Sequence, residues 1–358
     1  MDINPKRQIN QNYKISILFF IIVAVSLVLR IYNFDKFDLW YDELISNSYT
    51  LKLLSQSAII GRVSLFETFR NKFVHDLHSV FYYPLVYSYS IFFGEGKSLR
   101  IISLIFSLLS VFIFYKLSRL FLKPWESLLA ISLMVLSPFH IWYAQEARAY
   151  AMICFFSIAM LYFYFIALKN SKISYWVFFY IAAILAVYSS YYSVFLIVFS
   201  SFFIFFKENR KHFIKWLVCI CLILISCLPL LAIFTKQLDF IKNSFWLPKP
   251  TLEQIPFTLG VFSLGYSASY PVLIIGTILF SALFLWGFYS YYRLDKKEAF
   301  SLLLLIILPI ILTYVLSKFI IPIYIYRQLI IFSPIYYIFM AKGIAGIRGR
   351  KIRLFICL

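Results

Sequence analysis

Between Lys172 and Lys207 the chain runs through 34 residues without one Asp, Glu, Lys or Arg. A helix needs about 20 apolar residues to cross a bilayer, and basic residues flank both ends of this run. It reads as two spans that return to the side they left. Similar runs recur, placing candidate spans at 15–31, 99–116, 126–141, 150–168, 173–188, 192–206, 215–235, 269–292, 299–317 and 328–345, with a further apolar start at 354–358. Hydrophobic residues make up 63% of the 358 and charged residues 14%, against roughly 45–50% and about 25% in soluble domains. The chain therefore reads as an all-α polytopic membrane protein, with about ten or eleven transmembrane helices and nothing left over for a soluble domain of ordinary size. The first apolar run follows a basic N-terminus and lacks a small-residue cleavage site, so it reads as a retained span. Cys154, Cys219, Cys221, Cys227 and Cys357 lie in or beside apolar runs without metal-ligand spacing, and read as core- or lipid-facing thiols.

Charge placement orients the spans. The formal net charge is +19, which by itself would suit nucleic acid. The basic residues, however, gather in short tails and loops at 1–14, 116–123, 169–172, 207–215, 293–297 and 342–353. That is the positive-inside pattern with a cytoplasmic N-terminus, and it assigns the charge to the inner leaflet rather than to nucleic acid. The uncharged stretch 77–94 is long enough to cross. If it did, every later basic loop would turn outward. It is therefore expected to lie in the outer interface, as Pro84 and the tyrosines Tyr82, Tyr83, Tyr87 and Tyr89 suit.

This parity collects the unusual polar segments on one side: the long first outer loop 32–98, the loop His140 to Tyr150, the hairpin Tyr188 to Tyr192, and Pro322 to Arg327, preceded by Phe245 to Pro248. Asp42 and Glu43 sit among Trp40 and Tyr41 just beyond the first span. Paired carboxylates beside a bilayer surface are candidates for a general base or a metal ligand. His75 and His78, with Asp76 between them, have the i, i+3 relation of one helix face. With only two histidines there a dedicated zinc site is weak, and contacts to substrate hydroxyls or phosphate fit better. Glu146, Arg148 and Tyr150 stand at a span boundary, where charge is costly unless paired or facing a wet cavity; an outward Arg beside a carboxylate suits a phosphate with its sugar. Arg327, at the outer start of a span, is either a snorkelling anchor or a partner for a lipid phosphate. Glu67, Arg70 and Lys72 read as a solvated helix face. No Gly-rich phosphate loop and no GxSxG motif occurs. An activated donor is therefore expected from the outer, nucleotide-free side, where the carrier is a membrane lipid phosphate.

At these residues the chain resembles the GT-C glycosyltransferases of the protein-mannosyltransferase and lipid A aminoarabinose-transferase kind, in particular their bacterial family-39-like members. The matching pieces run in order: Asp42-Glu43; His78 to Leu85; Phe93-Gly94 with Leu99-Arg100; Ser137-Pro138; Gln145 to Tyr150; Tyr188 to Tyr192; and Tyr326-Arg327 with Ser333-Pro334. Each is loose alone, and their ordered set covers most of the chain. The resemblance implies a single GT-C-like membrane domain over 1–358, in a bacterial inner membrane. It would move a sugar from a polyprenyl-phosphate donor to a lipid, glycan or protein acceptor on the outer face, with inversion. Asp42 would be the catalytic base and Glu43 would orient or tune it. Arg148 and Arg327 would hold the phosphate, while Glu146, Tyr150, His75, Asp76 and His78 would line the sugar and acceptor pockets. A divalent metal is left open, since some of the superfamily use one and others do not.

Three departures accompany the resemblance. Relatives often show His-Pro-Pro where this chain has His78-Ser79-Val80, and a His in the hairpin where it has Ser190. Relatives also usually continue past the position of Leu358, so the chain is expected to lack their C-terminal extension. Two other readings stand beside the transferase. One is a transporter or flippase for a lipid-linked or anionic solute, which would favour midplane charges and internal repeats; no repeat is evident. The other is an inactive partner in a surface-polysaccharide complex.

Overall fold

The apolar runs form helices whose ends alternate between two faces of a bundle. The computed structural model describes residues 5–48, 80–244, 247–266 and 268–347, and among these no strand occurs. The first helix, α1 (Pro5–Ile31), leads to a helix described over 41–48, α2. Then follow α3 (Tyr82–Phe93), α4 (Arg100–Ser118), α5 (Pro124–Leu136), α6 (Pro138–Ala144) and α7 (Tyr150–Lys169). The remainder are α8 (Ile173–Ser189), α9 (Ser193–Ser200), α10 (Phe213–Ser244), α11 (Gln254–Leu264), α12 (Tyr270–Tyr292), α13 (Lys296–Phe319) and α14 (Ser333–Gly346).

Every expected span coincides with helix, but not every one is long enough to cross. Among the described residues seven helices are long and apolar enough, or eight if the bent pair α5–α6 is one span. The expected ten or eleven included α8, of 17 residues, and the 193–205 run, which tightens from α9 into a 3-10 turn at Ser201–Phe205. At 1.5 Å per residue, α8 reaches about 25 Å, short of a hydrocarbon core of about 30 Å. The start at 354–358 lies outside the described residues. The stretch expected to lie flat becomes α3, whose 12 residues are too short to cross. Pro84 sits in its first turn, where a missing N–H costs nothing. The helix α11 was not anticipated; it packs against the start of α12.

The bundle is graded from centre to rim. The helices α7 and α14 are buried nearly all round, whereas α1, α10 and α12 expose most of their apolar surface, including Phe20, Leu224 and Ile278. Apolar side chains turned outward over the length of a helix are what a bilayer solvates. Close approach at the centre uses small residues: a Cβ at Gly343 would lie 2.6 Å from the Leu283 carbonyl oxygen, and α12 and α14 meet there. On the face where α4, α7 and α14 end, basic residues close the loops. Lys169 donates to the Leu120 carbonyl (2.6 Å), Lys215 to that of Ser171 (3.0 Å), and Lys342 is buried against Glu126 (3.1 Å).

The expected span 126–141 is broken by 60° between α5 and α6. Pro138 provides the reason. It lacks an N–H and pushes Ser137 out of helical geometry, to φ −63° and ψ 120°. The Ser137 hydroxyl instead donates to the Phe262 carbonyl of α11 (2.7 Å). The bend turns the end of α6, and with it the loop 145–149, across the second face of the bundle.

Candidate active site

Glu43 is the structural centre of this second face. Its N-terminal neighbour Trp40 donates a backbone N–H to Glu43 Oε2 (3.3 Å), so the side chain caps its own helix, α2. From α4, Arg100 donates Nε to Oε1 (2.8 Å) and Nη2 to Oε2 (2.7 Å). The Ala147 N–H also donates to Oε1 (2.7 Å). Arg100 spends its other donors on the carbonyls of Phe34, Phe37 and Asp38, which uses all five guanidinium N–H groups. Both side chains are buried, at 1% and 6% exposure. Glu43 thus ties together α2, α4 and the 145–149 loop, and it faces Arg100 rather than any open space.

Asp42, one residue earlier, points the other way. Its Oδ2 accepts a hydrogen bond from Arg327 Nη1 at 2.7 Å, with both side chains about five-sixths buried. Arg327 also lies over the Tyr150 ring, 5.5 Å from its centroid. Burial works against the charge of Arg327, but Tyr150 and Asp42 outweigh it, and its guanidinium is held above its ordinary value. Its Nε meets no acceptor among the described residues. Arg148 grips α2 from below, donating Nη1 to the Asp42 carbonyl (3.2 Å) and to Ser46 Oγ (3.1 Å).

The hairpin at 188–192 buttresses the segment carrying Arg327. Ser190 Oγ donates to Gln328 Oε1 (3.0 Å), and the Tyr192 hydroxyl donates to the Ile323 carbonyl. Ser190, standing where relatives often have His, is thus engaged in holding the neighbour of Arg327.

Beside the Asp42–Arg327 pair opens a cavity of about 470 Å³, walled by Trp40, Trp142, Tyr143, Tyr266, Tyr324 and Tyr326, with Glu146 and Arg327 as its charged residues. That size lies within the range of small-molecule sites, and a few polar groups in an aromatic wall are their usual make-up. Glu146 is only 3% exposed. Neither of its oxygens meets a donor at hydrogen-bonding geometry, the Trp142 indole being the donor beside it. Burial pushes its carboxyl up to about 8; Arg327 opposes the shift, and Glu43 and Asp42 add to it.

Of the residues singled out in the sequence, Asp42, Glu43, Glu146, Arg148, Tyr150 and Arg327 come together here. His75, Asp76 and His78 lie outside the described residues. Arg100, Tyr143 and Tyr266 were not anticipated as site residues. A charge at the start of a span, such as Arg100, needs a partner, and that was the available signal; Tyr266, in the short segment after α11, carried none. Among the described residues no group of three or more His, Cys, Asp or Glu could hold a metal ion.

Known proteins share this arrangement of helices. The dolichyl-phosphate-mannose-protein mannosyltransferase family model matches residues 79–233. The fold is similar to that of ArnT from Cupriavidus metallidurans bound to undecaprenyl phosphate, with a TM-score of 0.62 at 14% identity, over 94% of this chain and 62% of that one. It is also similar to the archaeal oligosaccharyltransferase AglB from Archaeoglobus fulgidus in complex with an inhibitory peptide and a dolichol-phosphate, with a TM-score of 0.61 at 15% identity, over 97% of this chain and 54% of that one. The chain spans between half and two thirds of the length of these proteins. No curated protein matches it in sequence. Over nearly the whole chain the fold is thus that of the ArnT and AglB structures, and over residues 79–233 the sequence is similar to the dolichyl-phosphate-mannose-protein mannosyltransferase family.

Proposed function

We propose that the chain transfers a sugar from a polyprenyl-phosphate donor to the hydroxyl of a lipid, glycan or protein acceptor. The observation that carries this reading is the Asp42–Arg327 pair, whose Arg327 lines an aromatic cavity. A carboxylate and a guanidinium there are the two groups such a transfer needs. Asp42 takes the proton from the acceptor oxygen as that oxygen bonds to the anomeric carbon. The bond from that carbon to the phosphate oxygen breaks on the opposite side, which inverts the centre and releases the polyprenyl phosphate. Charge grows on the phosphate as it leaves, and Arg327, with an unused Nε, answers it. Arg148 holds the helix that presents Asp42. Glu43 acts through that helix as a positioning residue. His75, Asp76 and His78 remain candidates for the acceptor side.

Charge placement supports a cytoplasmic N-terminus and a site on the outer face of a bacterial inner membrane. The two ArnT and AglB structures contain undecaprenyl phosphate and dolichol-phosphate, which supports a polyprenyl-phosphate carrier here. The test is transfer from a radiolabelled panel of polyprenyl-phosphate sugars in membranes carrying the parent or Asp42→Asn. Label reaching a lipid or polymer with the parent alone is the expected result. Equal transfer by the Asn variant would remove Asp42 as base.

A further inference from the structure

Glu146, expected from the sequence to line a substrate pocket, has no part in the transfer step just described, and it is the most deeply buried charged residue of the cavity wall. A carboxyl buried with only the Trp142 indole beside it is costly whether charged or neutral, and the cost falls when a ligand supplies further partners. The groups around it are disposed against a second negative charge. Asp42 and Glu43 face it from α2, and the tyrosines Tyr82, Tyr143 and Tyr150 feel its charge from α3, α6 and α7. The cations acting with it are Arg327, already paired with Asp42, and Arg100, already saturated by Glu43 and three carbonyls. The cavity wall it joins is aromatic. Flat rings stack on the apolar face of a pyranose or furanose but leave its hydroxyls in need of polar partners.

Resting on the transferase reading, we propose that this cavity takes an uncharged sugar and that Glu146 reads one of its hydroxyls as an un-ionised carboxylic acid, donating one hydrogen bond and accepting another. An acid in that form offers both roles to one hydroxyl, which a carboxylate does not. A sugar bearing its own carboxylate would set a third negative group beside Asp42 and Glu43, and is excluded. Burial and neighbouring acids favour the neutral form up to about pH 8.

The consequence is a side chain that tolerates amidation. Glu146→Gln keeps one donor and one acceptor on the same frame. Glu146→Leu keeps the bulk and neither. Transfer is measured for the parent and both variants between pH 6 and 9.5, from polyprenyl-phosphate-linked neutral hexoses and uronic acids. The Gln variant should stay within about threefold of the parent at neutral pH, whereas Leu should lose on the order of 100-fold through KM and kcat together. The parent's kcat/KM should fall above about pH 8, and this alkaline fall should vanish in Gln. Hexose donors should be used and uronic-acid donors refused. Gln as inactive as Leu, an unchanged alkaline fall in Gln, or free use of uronic acids would overturn the inference while leaving the transferase reading intact. So would a Gln variant that unfolds more readily than the parent in detergent, because a neutral side chain of this shape should be tolerated. Absence of transfer by the parent from every donor would instead overturn the transferase reading, and this inference with it.

Discussion

Asp42 and Arg327 stand 285 positions apart in sequence and 2.7 Å apart in space. Each lies at the edge of an apolar run, and neither has a local partner that explains it. The pair also gives Arg327 two claims on its charge: the Asp42 carboxylate, and in the proposed reaction the donor phosphate. In the proposed reaction, a donor that drew Arg327 toward its phosphate would loosen its hold on Asp42 and free that carboxylate as the sugar arrived.

Removing Arg327 should therefore act on the chemical step. Arg327→Ala is expected to lower kcat by about 100- to 1000-fold, the scale for losing one donor aimed at developing charge. Arg327→Lys should recover only part of this, because an ammonium cannot serve Asp42 and phosphate as a planar fork does. Single-turnover kinetics at saturating donor check it; a change confined to KM would assign Arg327 to ground-state binding alone.

The Glu43–Arg100 pair should govern stability. Breaking a buried ion pair from one side leaves an uncompensated charge, a loss of about 3–5 kcal/mol. Glu43→Leu and Arg100→Met are each expected to lower the unfolding temperature in detergent sharply. The combined Glu43→Leu and Arg100→Met variant should lose less than the two single losses added. Strict additivity would mean the two side chains do not act as a pair.

Glu146 makes stability depend on pH with a definite sign. Its carboxyl titrates near 4.5 when unfolded and at about 8 when folded. Between those values the folded chain binds a proton that the unfolded chain has released, so stability falls as pH rises through the window. The unfolding temperature of the parent should drop between pH 5 and 8.5 more than that of Glu146→Gln. Parallel curves for the two would contradict the folded-state value.

A bulkier residue at the helix contact away from the site should separate stability from catalysis. A Cβ at Gly287 would overlap the Phe339 carbonyl. Gly287→Ala should destabilise by about 1–3 kcal/mol, the scale of overpacking. The transfer rate per folded molecule should be unchanged, as thermal unfolding and active-fraction titration together would reveal.

Helix placement was readable because hydropathy is a local property. The uncharged run 173–206 had to contain two segments, and they are α8 and the 193–205 run. Helix length was less readable: Pro138 was visible, but the 60° break needs Phe262, 125 residues away from Ser137, to accept the freed hydroxyl. At the site, Asp42, Glu146, Arg148 and Arg327 stood out as charges that an apolar chain must place with care. Arg100 stood out no less, yet its partner could not be named. Tyr266 looked like any other tyrosine.

The sequence by itself determined that the chain is a helical membrane bundle, and which of its segments share a face. Both follow from the cost of burying charge and peptide groups in hydrocarbon, summed along the chain. Only the tertiary structure decided that Glu43 turns inward to Arg100 while its neighbour Asp42 meets Arg327 beside the cavity. Adjacent residues on a helix point about 100° apart, and which of two adjacent acids lies beside the cavity is set by the distant guanidinium each one meets.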